Sequence, residues 1–406
     1  MSTFNSTLPG EERWLLPEGV EELLPDQAAR VEAMRRELLD LYGRWGYELV
    51  IPPLIEYTES LLIGLGRDLE RQTFRLTDQL SGRMLGIRPD ITPQAARIDA
   101  HSLRRDGPVR LCYAGSVLHT RARSPFASRC PIQLGAELYG DASLDADIEV
   151  LGLMLETLGR IGIREVTLDL GHVGIFRALM DDMALAEGVR AALFEALQDK
   201  SSAAINAIVD DAGLDGPRSS ILRELAGLNG DRRVLGAARR LLQDAPPAVH
   251  QVLSALERVA DIIEERFPGI NIHFDLCELH GYHYHTGLVF AAYVPGQGEA
   301  VANGGRYDDI GRVFGRARPA TGFNMDLKTL LTLAPARAGG DNGGIFVAPA
   351  IAALAWGEIQ RLRDAGERVV VGLSAQGSSA CCDRELRHAG DDSWQIHQLN
   401  QARANG

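Results

Sequence analysis

Residues 111–140 read LCYAGSVLHTRARSPFASRCPIQLGAELYG, two apolar runs joined by a loop that carries three arginines. Polar and apolar residues alternate in both runs, which predicts two neighbouring β-strands. The second run carries Gln133 and Glu137, which lie on the same face of a strand because side chains repeat with a period of two residues. Paired strands with a polar face beside an arginine-rich loop are typical of a nucleotide-dependent active site.

The chain before this stretch predicts a long helix, a short strand and a strand–helix unit. Apolar residues recur at helical spacing from Asp26, a residue type that can cap a helix, to Gly46. YELVIPP follows as a strand, which Pro52 and Pro53 end because proline has no N–H to donate. RMLGIRPD and ITPQAARIDAH, residues 83–101, predict a strand that leads into a helix.

The pattern of apolar residues also predicts how the rest of the chain is organised. Residues from about 175 to 265 have helical spacing throughout and predict a helical insertion. Strands return after it and continue to PARAGGDNGG at 335–344, a linker rich in Gly and Pro. We therefore expect a domain at 1–335 and a small α/β domain at 336–406. The fold class is α+β, with a mostly antiparallel sheet flanked by helices.

Composition limits the classes of function. The net charge is −13 and the pI about 5.3, which disfavours nucleic-acid binding because phosphate neutralisation supplies most of that affinity. The five cysteines are odd in number and show no CxxC spacing, so neither a disulfide framework nor a structural zinc site is expected. We find no signal-peptide pattern and no apolar run long enough for a membrane helix, and we expect a cytoplasmic protein.

Three stretches resemble the class II aminoacyl-tRNA synthetases, and specifically the histidyl-tRNA synthetase family, over roughly residues 14–335. GYELVIPPLIE is similar to the family's first motif, which builds the dimer interface, so the resemblance implies a homodimeric core. IRPDITPQ and FASRCPIQLGAELYG are similar to the segments that line the amino-acid pocket. ANGGRYDDIGRVFG is similar to the glycine-rich strand and turn beneath that pocket. The resemblance implies an antiparallel class II sheet.

The resemblance also shows which chemistry is missing. An ungapped match places His119 where an arginine grips the α-phosphate of ATP, and Arg121 where the family has a carboxylate. His280, in HGYHYH, and Thr329, after Lys328, also stand in place of arginines. Amino-acid activation depends on fixed cations that meet the developing phosphoryl charge, so we predict that adenylation is lost.

The amino-acid pocket, in contrast, is largely kept. Asp90 replaces the family's glutamate, and the other matching positions are unchanged. The resemblance implies that these residues bind free histidine, since carboxylate, amide and hydroxyl oxygens accept hydrogen bonds from an ammonium and an imidazole N–H. The predicted histidine-binding residues are Asp90, Thr92, Gln133, Glu137, Tyr284 and Gly305.

A kept pocket, lost arginines and a short tail together resemble the regulatory subunits of ATP phosphoribosyltransferase, a synthetase-like family of histidine biosynthesis. Only 71 residues follow Pro335, with seven Arg, no Lys and eight Asp plus Glu, which is unlike an anticodon-binding domain. The resemblance implies a short-form catalytic partner, a hetero-octamer and inhibition by histidine, with no catalytic residues, cofactor or tRNA. The alternatives are a divergent, active histidyl-tRNA synthetase and a paralogue that transfers an aminoacyl adenylate to a protein.

Simpler interpretations stand beside these predictions. The histidines of HGYHYH invite a zinc site, but no carboxylate with ligand spacing completes one, so we predict no metal. Gln133 and Glu137 could face solvent on a half-buried strand, with the apolar residues between them on the core face. The loop RARSPFASR could be solvated, with arginines that meet no ligand.

Overall fold

A computed structural model of the protein describes residues 14–62, 67–122, 124, 127–279, 284–335, 343–373, 382–390 and 393–399. The chain divides into two compact units, Met1–Pro335 and Ala336–Gly406. Within the described residues, no helix is both long enough and apolar enough to cross a membrane.

The larger unit contains both helices and strands, and the described residues of the smaller unit form four strands and two short helices. The helices are α1 (Pro25–Arg44), α2 (Thr58–Leu61), α3 (Arg67–Gln72), α4 (Thr92–Arg97), α5 (Leu144–Arg160), α6 (Gly174–Met183), α7 (Glu187–Gln198), α8 (Ser202–Asp211), α9 (Pro217–Leu225), α10 (Arg233–Leu241), α11 (Pro247–Arg266), α12 (Leu327–Leu333), α13 (Pro349–Ala352) and α14 (Trp356–Asp364). The strands are β1 (Glu48–Leu49), β2 (Ile55–Tyr57), β3 (Phe74–Thr77), β4 (Met84–Ile87), β5 (Val109–Ser116), β6 (Ile132–Tyr139), β7 (Thr167–His172), β8 (Asn229–Gly230), β9 (Asn271–Asp275), β10 (Leu288–Tyr293), β11 (Ala302–Arg306), β12 (Ala320–Asp326), β13 (Gly344–Val347), β14 (Val369–Val371), β15 (Cys382–Gly390) and β16 (Ser393–Gln398).

A nine-stranded sheet organises the larger unit, in the order β1-β5-β6-β12-β11-β10-β7-β9-β8. Its pairs are antiparallel except β1 with β5 and β7 with β9. The predicted α+β fold with a mostly antiparallel sheet is therefore confirmed. The predicted neighbours β5 and β6 pair over eight residues each, from Val109 opposite Tyr139 to Ser116 opposite Ile132.

The two faces of this sheet differ in chemistry because side chains alternate along each strand. One face packs against α1, α5, α11 and α12, and its β6 residues Leu134 and Leu138 belong to the main hydrophobic core. The other face carries Gln133, Gly135 and Glu137 on β6, in register with Asp326, Asn324 and Gly322 on β12. In β11, Asn303 and Gly305 continue this polar and glycine-rich face.

Helices α6 to α11 occupy the segment that we predict as a helical insertion. Their buried leucines, isoleucines and valines join the core of the main sheet. One short strand, β8, interrupts the helices and pairs with the edge of the sheet at β9, which the periodicity does not predict. The insertion is therefore packed onto the sheet and shares its core.

Several expectations at the element level are wrong in detail. Helix α1 begins at Pro25 after Leu24, and Asp26 lies in the first turn without capping the helix. Only Glu48–Leu49 of YELVIPP forms strand pairs. The helix after β4 ends as a π-helix at Ile98–Leu103. Short strands β2 and β3, which flank β4 in a three-stranded sheet, are absent from the prediction.

An exposed apolar segment lies next to this small sheet. Leu49, Ile51, Leu54 and Ile55 are each at least 45% exposed in the single chain, and Ile51 reaches 80%. An exposed apolar strand edge is a liability that proteins commonly cover by pairing. We refer to residues 49–55 as the edge segment.

The smaller unit has a sheet in the order β14-β13-β15-β16. Strand β13 is parallel to both neighbours, and β15 and β16 form an antiparallel hairpin. Its core consists of Ile345, Val347, Ile359 and Leu386 with a few partners. The sequence predicts a small α/β domain here, and the described elements are these four strands with α13 and α14.

Candidate functional site

The segment that carries Asp90 and Thr92 is held by a buried arginine. Arg88 is 6% exposed, and its guanidinium donates to the carbonyl oxygens of Pro52 at 2.8 Å and Ser116 at 2.9 Å. These bonds hold Nε and Nη1 inside the protein, and burial lowers the pKa of Arg88. Arg88 therefore fixes the wall of the site through its bonds to these two backbone carbonyls.

Asp90 and Gln133 form the rim of one polar network. Asp90 Oδ1 accepts from the Thr92 backbone N–H at 2.8 Å and from the Gln133 side-chain amide at 2.9 Å. Gln133 Oε1 in turn accepts from the Ile91 backbone N–H at 2.8 Å. Gln133 is only 6% exposed, so it does not face solvent as the simpler interpretation of the strand allowed.

Glu137 lies at the bottom of the network and is 1% exposed. Its Oε1 accepts from the Tyr113 hydroxyl at 2.9 Å, and its Oε2 accepts from the Tyr307 hydroxyl. Tyr113 also lies 3.0 Å from the Thr92 hydroxyl. Burial raises the pKa of Glu137 to about 8, against the lowering effect of the hydroxyl donors. The carboxyl is therefore poised to change charge near neutral pH.

Tyr284 joins this network through an aromatic contact. Its ring stacks on that of Tyr307, with centroids 5.0 Å apart and an interplanar angle of 25°. The Tyr284 hydroxyl is buried and makes no hydrogen bond to any residue that the structure describes. Its pKa is raised well above the usual value, first by burial and then by Glu137. A buried hydroxyl without a hydrogen-bond partner costs free energy of folding. A ligand that forms a hydrogen bond with it therefore recovers that free energy.

Glycines make room for these side chains. A Cβ atom at Gly305 would lie 2.6 Å from the Leu288 carbonyl oxygen and 2.8 Å from the His285 ring. A Cβ at Gly135 would lie 2.4 Å from the Tyr113 hydroxyl. We call Asp90, Thr92, Gln133, Glu137 and Tyr284, with Gly305 beneath them, the pocket.

His119 lies beside the pocket and is 3% exposed. Its Nε2 is 2.9 Å from the Pro89 carbonyl oxygen, which accepts its N–H. Arg129, the loop arginine that matches the family, donates to the carbonyl oxygens of His119 at 3.1 Å and Glu18 at 2.9 Å. Arg121 is exposed at the surface. None of these side chains forms a phosphate clamp in the described structure.

Thr329 is held in the first turn of α12. Its hydroxyl donates to Asp326 Oδ2 at 2.9 Å, and Asp326 also accepts from the backbone N–H groups of Lys328 and Thr329. Lys328 Nζ lies 3.1 Å from Glu21 Oε1. Asp326, which the motif comparison does not single out, is therefore the N-cap of α12 and orients the start of that helix.

A cavity of about 300 Å³ adjoins the pocket at Gln133. His119 and Thr329, two of the positions where the resemblance places arginines, both line it. Its further polar lining consists of Glu21, Ser128, Gln297, Glu299, Asn303, Asn324, Asp326, Lys328 and Thr332. Among the described residues of this lining, Lys328 is the only lysine or arginine.

The structure thus brings most of the predicted residues together. Asp90, Thr92, Gln133 and Glu137 share one hydrogen-bond network, and Tyr284 packs on its edge. His280 lies outside the described residues. Motif comparison misses the tyrosine donors of Glu137, although Tyr307 stands in the quoted GGRYD stretch.

One acidic cluster lies outside the pocket. Ligand atoms of Asp169, Asp275 and Glu278 lie within 4.8 Å of one another. Lys200, one of two lysines in the chain, places its ammonium on Asp275. The cluster already holds a cation from the protein itself, and we assign no metal to it.

Comparisons with known proteins agree with the sheet and the side-chain arrangement described above. A family model described as histidyl-tRNA synthetase matches residues 19–330. A second, described as ATP phosphoribosyltransferase subunit HisZ C-terminal domain, matches residues 342–397. The solved structure of an ATP phosphoribosyltransferase regulatory subunit/histidyl-tRNA synthetase from Bacillus halodurans C is 29% identical with a TM-score of 0.78, over 88% of this chain and 92% of that one. A histidyl-tRNA synthetase from Nostoc sp. PCC 7120 shares the fold at a TM-score of 0.74 and 17% identity, over 95% and 97% of the two chains.

Curated relatives match over nearly the whole length. The ATP phosphoribosyltransferase regulatory subunit of Ectopseudomonas mendocina (strain ymp) is 54% identical, over 96% of this chain and 98% of that relative. The protein of the same name from Thioalkalivibrio sulfidiphilus (strain HL-EbGR7) is 53% identical, over 95% of this chain and 99% of the relative. The family models and these matches show that the chain belongs to the family of ATP phosphoribosyltransferase regulatory subunits.

Proposed function

We propose that this chain is a non-catalytic subunit that activates a short-form ATP phosphoribosyltransferase, the first enzyme of histidine biosynthesis, and makes it sensitive to histidine. The observation that carries the proposal is a built amino-acid pocket beside a cavity of about 300 Å³ whose described lining holds one lysine or arginine, Lys328, which is paired with Glu21. Relatives at 54% identity are named as regulatory subunits of this enzyme, which supports the same role here.

The loss of catalysis follows from what the cavity residues contact. His119 gives its ring N–H to Pro89, and Thr329 gives its hydroxyl to Asp326. Neither side chain carries the fixed positive charge that stabilises a phosphoryl transition state. The competing hypothesis, an active synthetase, needs other arginines in their place, and Arg129 is bound to backbone carbonyls.

Histidine is the proposed effector because the pocket matches its imidazole and ammonium. Asp90 supplies a negative charge at the half-buried rim, where an ammonium remains partly hydrated. Glu137 supplies a buried acceptor for an imidazole N–H, and the Tyr284 hydroxyl lies close by. Gly305 leaves room for the His285 ring, which lies where a side chain at position 305 would be.

We further propose a homodimeric core that joins catalytic chains in a hetero-octamer, in the cytoplasm and without tRNA. The exposed edge segment favours pairing with a second copy. The net charge of −13 gives little support to a tRNA-binding role.

The test is reconstitution with the cognate catalytic chain. Transferase activity is measured for the catalytic chain alone, with this protein, and with this protein plus increasing histidine. We expect activity to rise with this protein and to fall with histidine only in its presence. Equal activity with and without the protein would contradict the proposal.

A further inference from the structure

Residues 14–24, which we call the N-terminal segment, carry a run of exposed apolar side chains. Trp14 is 84% exposed, Leu15 74% and Leu24 64%. Covering such side chains with a partner protein is favourable, because it removes apolar surface from water. Tryptophan is also among the residue types that most often carry the binding energy of protein interfaces. The segment therefore has the side chains of a docking site.

Polar contacts fix the N-terminal segment to its own unit. The Arg129 backbone N–H donates to the Gly19 carbonyl oxygen at 2.7 Å, and the Arg129 guanidinium donates to that of Glu18 at 2.9 Å. Gly19 has a φ of +71°, and a Cβ atom there would lie 2.9 Å from the Arg129 side chain. Lys328 Nζ lies 3.1 Å from Glu21 Oε1. The exposed side chains thus stand on a backbone of defined position, which lowers the entropy cost of binding.

The same contacts place the N-terminal segment beside the cavity that adjoins the pocket. Glu21 lines that cavity, and so does His119. The Arg129 guanidinium, which holds Glu18, also donates to the His119 carbonyl oxygen at 3.1 Å. A protein bound to this segment therefore contacts a part of the chain that forms one wall of the cavity.

Charge distinguishes between two candidate occupants of the segment. It carries Glu18, Glu21 and Glu22 and no lysine or arginine, and the side chains of Glu18 and Glu22 are exposed. Two copies of the segment placed face to face would bring these carboxylates together, which is unfavourable. The edge segment, LVIPPLI, has no charged residue and suits a second copy of this chain. The N-terminal segment instead suits a different protein, one whose apolar surface has a basic border.

We propose that the N-terminal segment is a docking site for the catalytic chain, with Trp14 and Leu15 inserted into an apolar groove that lysine or arginine side chains border. This inference rests on the proposed function, which supplies the partner, and it names the surface of this chain that the partner contacts. Partner and effector then bind to neighbouring parts of one unit.

Direct binding to the cognate catalytic chain tests the proposal. Isothermal titration of the full-length protein gives a dissociation constant for the wild type and for Trp14→Ala. We expect Trp14→Ala to weaken binding about 10- to 100-fold, because truncating a tryptophan at an interface commonly has an effect of this size. Trp356→Ala, at a 52% exposed tryptophan of the smaller unit, is the matched control and should bind as the wild type does. Equal dissociation constants for Trp14→Ala and the wild type would overturn the proposal.

A change of charge gives an independent measurement. Glu22→Lys places a cation against the basic border of the groove. We expect it to weaken binding at least about tenfold in about 0.05 M salt and less in about 0.5 M salt, because salt screens exposed charges. Glu187→Lys, at an exposed glutamate of α7, is the control and should leave the dissociation constant unchanged. Unchanged binding of Glu22→Lys at low salt would count against the proposal.

Further readouts separate this inference from the proposed function and from a second copy as occupant. If the wild-type protein does not bind the catalytic chain, both the inference and the proposed function are overturned. If it binds without raising transferase activity, the proposed function fails, and the dissociation constants still decide the docking site. If Trp14→Ala turns a dimer into a monomer in light scattering, a second copy occupies the segment and the inference is wrong. Urea unfolding of Trp14→Ala should match the wild type, because the side chain is 84% exposed.

Discussion

Gly322 on β12 lies directly opposite Glu137 on β6, and a Cβ atom at position 322 would lie 1.6 Å from Glu137 Oε2. The same Cβ would lie 2.7 Å from the Tyr307 hydroxyl. The buried carboxylate and its tyrosine donor therefore occupy the space that a side chain would need. Gly322, on the neighbouring strand, thus shapes the pocket although it has no side chain that could contact a ligand.

This contact predicts the effect of one added methyl group. In Gly322→Ala, Glu137 must leave its position, so we expect histidine inhibition to weaken at least tenfold. Overpacking of this kind also costs about 1–3 kcal/mol of unfolding free energy. The inhibition constant of the reconstituted transferase and urea unfolding measure the two effects.

Gly159→Ala is the matched control. Its Cβ on the exposed side of α5 would meet no atom within 4 Å, and an alanine in a helix is favoured by roughly 0.5–1 kcal/mol. We expect full histidine inhibition and a small gain in stability. Equal inhibition constants for Gly322→Ala and Gly159→Ala would show that the pocket is not where histidine acts.

Glu137→Gln tests the carboxylate itself. In an assay at pH 8.5, above the pKa of about 8, the carboxyl is ionised; the amide keeps the shape but removes that negative charge, and the lost charge-assisted bond weakens histidine inhibition roughly 10- to 100-fold. We expect activation of the catalytic chain to stay nearly intact. Asp26→Asn makes the same chemical change at an exposed position of α1 and leaves the inhibition constant unchanged.

The raised pKa of Glu137 predicts how stability depends on pH. Its pKa rises from 4.5 to about 8 on folding, so the folded state holds a proton that the unfolded state has lost between those values. The stabilising contribution is complete below about pH 4.5 and is lost as the pH rises through about 8. Relative to Glu137→Gln, the wild-type protein should lose unfolding free energy between pH 5.5 and 8.5. A difference that is constant over this range would contradict the prediction.

The residues that stand in place of arginines at the cavity, His119 and Thr329, predict that amino-acid activation is absent. Histidine-dependent exchange of pyrophosphate into ATP should stay at background, because each missing cation alone costs on the order of 100- to 1000-fold in rate. A genuine histidyl-tRNA synthetase under the same conditions is the control. A rate within tenfold of that enzyme would favour the competing hypothesis of an active synthetase.

The exposed edge segment predicts a dimer. A single charged side chain placed in this segment should disrupt that dimer. Ile51 is 80% exposed in the single chain, and Ile51→Asp would bury an unpaired carboxylate between two copies. We expect light scattering to show a dimer for the wild type and a dissociation constant at least tenfold higher for the variant. Leu354→Asp, at a 68% exposed leucine of the smaller unit, is the control and should remain dimeric. A monomeric wild type at micromolar concentration would contradict the prediction.

Local pattern accounts for much of this protein. Alternation predicts β5 and β6 and places Gln133 and Glu137 on one face, and the resemblance to the histidyl-tRNA synthetases implies that His119 and Thr329 stand where that family has arginines. A strand rich in charge escapes such patterns: β15 carries four charged residues among nine and gains its place only by pairing with β13 and β16. The cap expected from Asp26 fails because Pro25 begins the helix one residue earlier.

Tertiary structure alone decided the chemistry of the pocket. Tyr113 and Tyr307 lie 24 and 170 residues from Glu137 in the chain, yet both donate to its carboxylate. Gly322 joins them only through the register of β6 with β12. The sequence determines which side chains are present. It also determines which face of a strand each side chain takes, because the alternation of faces depends only on neighbouring residues. The partners of Glu137 and its raised pKa depend on strand pairing and burial across the sheet, which no local pattern contains.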